Sequence, residues 1–154
     1  MPTAPGATTV KFVQLAATTT SGAFHSIAPQ RAYDSRNAAY TPNGLLAPNT
    51  SRVVSVADGH NAAGAVTLSN AVPLGATAVE INLTAADPTD RNFLAVAPGD
   101  ATATSTSLLN WNLGVTQIAN SITVKLDASR QIKVFCGDQA GSTQFIVDVF
   151  GYYL

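Results

Sequence analysis

Turn signals recur about every ten residues along most of this chain, which leaves room only for short elements between them. The turn-forming stretches are "TPNG" at 41–44, "ADGHN" at 57–61, "VPLG" at 72–75, "ADPTD" at 86–90, "APGD" at 97–100, "LDAS" at 126–129 and "CGDQAGS" at 136–142. Between them lie "SRVVSVA", "GAVTLS", "TAVEINLTA", "NFLAVA", "SITVKL" and "QIKVFC", all rich in Val, Ile, Thr or Phe. β-branched and aromatic residues suit a pleated, half-buried surface. The spacing predicts an all-β fold, an antiparallel β-sandwich of jelly-roll type. The best helical window, "SLLNWNLGVTQIANS", is broken by Gly114 and is poor in helix formers. No short repeat of fixed period is visible, which argues against a solenoid.

The chain has 154 residues, enough for one domain with a real core. Residues 25–154 are expected to form the sandwich. Residues 1–24 read as an N-terminal arm or an added edge strand. Their strand-like run, "TVKFVQLA", puts Val10, Phe12 and Gln14 on one face and Lys11, Val13 and Leu15 on the other. A strand that is mostly apolar on both faces needs cover on both sides. Val10, Phe12, Val13 and Leu15 are therefore the expected assembly contacts of the arm.

Charged residues make up only 11%, against roughly 25% in an ordinary soluble protein. A surface so poor in charge is weakly protected against association, so partners are expected to cover part of it. The formal net charge is -1 and the Lys and Arg residues are scattered, which points away from nucleic acid. No apolar run approaches the roughly 20 residues of a membrane-spanning helix. The opening "MPTAPGATT" has neither a positive n-region nor an apolar h-region, so no signal peptide is expected in it. With the single Cys136, no intrachain disulfide can form.

From "PQRAYDSR" onward the chain resembles a family of β-sandwich modules found in actinobacterial surface and secreted proteins and in phage structural proteins. That pattern opens with Arg, followed three residues later by Asp-Thr-Arg; here Arg31 is followed by Asp34, Ser35 and Arg36. "INLTAA" at 81–86, "NFLAVAP" at 92–98, "SLLN" at 107–110, Ala119-Asn120 and "QFIVDVFGYY" at 144–153 match its later elements in order. Ser35 replaces the usual Thr, and Asp90-Arg91-Asn92 replaces a Gly-rich turn. Residues 1–24 lie outside the pattern. The resemblance implies a scaffold or binding module with no general enzymatic activity.

Asp148 stands in the middle of an apolar final strand, on the same strand face as Ile146 and Phe150. A carboxylate turned into a core must be paired, because an unpaired buried charge costs several kcal/mol. The resemblance makes Arg31 and Arg36 its obvious donors, with Asp34 beside them. Asn82, Asn110 and Asn120 flank strand-like runs, where amides usually satisfy open backbone; amides also read sugar hydroxyls well. Arg31, Asp34, Arg36, Asn82, Asn110, Asn120 and Asp148 are thus expected to form a structural ion-pair and polar network. No catalytic acid/base pair is expected.

The metal reading is weak: His25 and His60 are isolated, and Cys136 has no partner at ligand spacing. Asp87, Asp90 and Asp100 fit turns better than a calcium loop. Ser55, Asp58 and His60 are too close in an extended chain to converge as a hydrolase triad. Asn49 and Asn82 begin glycosylation sequons. Trp111, Tyr33, Tyr40, Tyr152 and Tyr153 suit core or interface packing, or a stacking platform for sugars if exposed.

Together these features lead to the expectation of a non-enzymatic structural protein of a bacteriophage virion, without metal or cofactor. The specific version is a head-decoration (cement) protein on the outer capsid surface. Its partners would be copies of itself, a trimer being one candidate, and a major capsid protein. The alternatives are a glycan-binding or adhesion module at a bacterial surface, and a tail-fibre or baseplate component.

Overall fold

The computed structural model describes residues 22–154. The expected arm strand, with Val10, Phe12, Val13 and Leu15, lies outside the described residues. The rest forms ten strands in chain order: β1 (Phe24–Asp34), β2 (Ser51–Ser55), β3 (Gly59–His60), β4 (Val66–Leu68), β5 (Ala78–Ala86), β6 (Asn92–Pro98), β7 (Leu109–Trp111), β8 (Gln117–Lys125), β9 (Gln131–Cys136) and β10 (Gln144–Tyr153). They build a six-stranded sheet of order β4-β3-β1-β10-β5-β8 and a four-stranded sheet of order β2-β9-β6-β7. Every ladder is antiparallel. The fold is an all-β antiparallel sandwich, as the turn spacing predicts.

Alternation along each strand decides what enters the core. In β9, Ile132, Val134 and Cys136 are buried while the residues between them are half-exposed. Val79, Ile81 and Leu83 of β5 and Phe145, Val147 and Val149 of β10 are buried almost completely. With Leu94 of β6 and Leu109 of β7 they form one cluster between the sheets. Each such side chain contributes roughly 1.5–3 kcal/mol of burial.

Three elements depart from the sequence reading. β1 carries Pro29 and a polar, half-exposed pattern, so it does not read as a strand from its composition. It nevertheless lies inside the large sheet between β10 and β3. β3 forms within the expected "ADGHN" turn. The broken helical window supplies β7, a turn at Asn112–Val115 and the first half of β8.

Candidate functional site

The chemistry-bearing residues gather on the outer face of the six-stranded sheet. In β10 the buried residues Phe145, Val147 and Val149 point to the core, so Asp148 between them points away from it. Asp148 therefore does not turn into the core, contrary to the inward placement that its apolar strand suggests. Its side chain keeps 23% exposure and stands opposite Arg31 of β1. Arg31 Nε donates to Asp148 Oδ1 at 2.8 Å and Nη2 to Oδ2 at 3.1 Å, the two parallel bonds that fit a planar guanidinium to a carboxylate. Those bonds, against the opposing effect of burial, raise the Arg31 pKa further.

The array continues through Asp34, which is buried. Arg31 Nη1 donates to Asp34 Oδ2 at 3.1 Å, and Arg36 donates to the same carboxylate through its backbone N (3.0 Å), Nε (2.9 Å) and Nη2 (2.8 Å). Burial works against the Asp34 charge. The Arg36 bonds and both positive charges outweigh it and hold the carboxyl below the usual range. Ser35, between them, is pinned to the last strand: its N donates to Phe145 O at 3.0 Å, and its Oγ accepts from Phe145 N at 2.8 Å. The Gln144 amide lies 2.6 Å from the same Oγ. The Asp-Ser-Arg segment thus clasps the start of β10, which joins two distant parts of the sequence pattern.

Arg31, Asp34, Arg36 and Asp148 are therefore brought together as one charge-balanced array. Asn82 stands opposite Asp148 in the ladder and makes only a long contact, Nδ2 to Thr84 Oγ1 at 3.4 Å. Asn110 and Asn120 do not join it. Asn110 is exposed on β7 and donates to Ser107 Oγ at 3.1 Å. Asn120 bridges the sheets at their open side: its Nδ2 reaches Leu108 O at 3.4 Å while its Oδ1 accepts from Ser121 N at 2.9 Å.

The remaining candidates separate. His25 stacks on Tyr152 at 5.2 Å. His60 Nδ1 donates to Arg31 O at 3.2 Å. Ser55 Oγ accepts from Ala57 N and Asp58 Oδ1 from Asn70 N, so the imagined triad does not converge. Asp87 adopts the left-handed turn conformation, φ 50°. Among the described residues, no three His, Cys, Asp or Glu side chains gather as a metal site. Burial pushes the free Cys136 thiol up to about 11. Trp111 is buried and donates from Nε1 to Asp90 O at 2.7 Å.

Asn92 has an organising role that its place in a turn-like tripeptide does not announce. It is buried; its Nδ2 donates to Gly141 O at 2.7 Å, with Gln139 O at 3.1 Å and Gly137 O at 3.2 Å also in reach. Its Oδ1 accepts from Phe93 N at 2.9 Å. One amide thus holds the whole loop before β10.

In comparisons with known proteins, no family model and no curated protein matches this chain.

Proposed function

We propose that this sandwich, wound as a jelly roll, is a non-enzymatic structural protein of a bacteriophage virion, a decoration protein that cements the outer surface of the head. The observation that carries the reading is where the large apolar side chains lie. Leu74 and Leu113 are each 74% exposed, on loops at opposite ends of the sandwich, and Phe24, Val66 and Leu68 are also exposed. In a chain with 11% charged residues, such side chains are better placed under a partner than in water. The motif residues that carry the family resemblance support it too. Arg31, Asp34, Ser35, Arg36 and Asp148 bond to one another or to backbone and so tie β1 to β10.

The mechanism is mechanical. Copies of the sandwich sit across junctions between capsid proteins and bury apolar and Thr-rich surface there. The N-terminal arm adds a strand to a neighbour or lies along the shell. A stable contact of this kind buries about 800 Å² on each partner. Light scattering of the purified chain and co-sedimentation with empty shells of a phage major capsid protein test this. The expected result is a homo-oligomer that saturates on the shells. A monomer that leaves the shells bare overturns it.

A further inference from the structure

Every register irregularity among the described strand pairs falls in one place. Two lie on β1, between Ser26 and Gln30 and between Arg31 and Tyr33. One lies on β10 between Val149 and Gly151, and one in the β3–β4 pair, where Thr67 of β4 is the extra residue opposite Gly59 and His60. By contrast, β5 and β8 pair along their whole length without a break, as do β2 and β9. Bulges give up ladder hydrogen bonds and re-aim side chains, and they concentrate beside sites. Here they surround an open depression of about 410 Å³, lined by Pro29, Arg31, His60, Asn61, Asp148 and Phe150, with Ala62 at its side.

From this geometry we infer that the depression is a binding site for a neutral saccharide. Binding there is independent of any virion role. Size is the first point: the volume falls within the roughly 300–1,000 Å³ of small-ligand sites. Charge is the second. Arg31 balances Asp148 and Arg36 balances Asp34, so the floor offers no net charge to a phosphate or a cation.

Hydrogen-bonding capacity is the third point. The Arg31 guanidinium carries more N–H donors than the three contacts it makes. Each Asp148 oxygen accepts one bond from Arg31 and retains a lone pair. His60 donates from Nδ1 to Arg31 O, which leaves Nε2 as an acceptor. Donors and acceptors held side by side match adjacent sugar hydroxyls, each of which both donates and accepts.

The fourth point is the rim. Phe150 is the extra residue in the β10 bulge and remains 37% exposed beside the charged pair. Its ring, with Pro29 and Ala62, gives an apolar surface for the C–H face of a pyranose.

The test is a titration of the ¹⁵N-labelled full chain with methyl β-galactoside, methyl α-mannoside, N-acetylglucosamine and their β-linked disaccharides, with inorganic phosphate in parallel. The expected result is saturable shifts of the Arg31, His60, Asn61, Asp148 and Phe150 amides with at least one sugar and none with phosphate. Phe150→Ala should weaken that sugar about tenfold, Phe150→Tyr should restore it, and Leu113→Ala, remote from the site, should leave it unchanged. Both positions are exposed, so the thermal melts of all three variants should stay close to that of the parent. Shifts with phosphate alone, shifts confined to other residues, or no shift with any of the sugars would overturn the inference.

Discussion

Asp34 and Asp148 share the Arg31 guanidinium, yet their surroundings give them different weights. Asp34 is buried and accepts from two arginines and a backbone N–H. Asp34→Ala leaves Arg36 without its carboxylate, takes one of the Arg31 bonds and should cost about 2–4 kcal/mol. Asp148→Ala should cost only about 1–2 kcal/mol, because its partner is 35% exposed, water reaches the pair, and Arg31 keeps Asp34. Urea melts rank the two; equal shifts would contradict the difference in burial. The pH dependence has a definite sign. Asp34 is depressed in the fold, whereas an unfolded aspartate titrates near about 4. Its contribution is therefore complete above that value and is lost as pH falls through the lower folded value. Stability should decline below about pH 4, and Asp34→Asn should flatten that decline.

Single side chains also decide whether whole elements hold. Asn92→Ala removes the donor that three carbonyls of the 137–141 loop face, and Asn92→Asp sets a carboxylate against them. Both should destabilise the β9–β10 connection, by about 2–3 kcal/mol for Ala and more for Asp. Thermal melts give the order, and hydrogen exchange at Ser142 and Thr143 shows whether the loss is local. Stretches with plain alternation, such as residues 78–83 of β5 and the whole of β9, were legible in the sequence because burial on one face imposes a period of two. β1 was not, because its bulges interrupt that period and half of it is exposed. The tie of Arg31 to Asp148 was legible only through the family resemblance, since 117 residues separate them. Asn92 gave no signal, because its partners are backbone carbonyls of a loop that only the fold brings near. The depression was invisible for a similar reason: its floor comes from β1, β3 and β10, which meet only in the sheet.

At the scale of the molecule, every strand pair among the described residues closes within Phe24–Tyr153. Deleting residues 1–21 should therefore leave the β circular-dichroism signal intact and the melting temperature nearly unchanged. The same truncation should lower the oligomer mass in light scattering; loss of the β signal instead would mean that the segment belongs to the core. One further consequence follows from the middle of the large sheet, where β10 sits between β1 and β5. The last strand of this domain to be synthesised fills the central slot, so the sheet stays split until that strand has emerged. Closing a loop of more than a hundred residues is slow, and the facing edges of β1 and β5 keep their ladder N–H and C=O groups unpaired meanwhile. A neighbouring nascent chain could fill the same slot with its own final strand. Strand exchange through β10 is thus the characteristic misassembly that this topology invites.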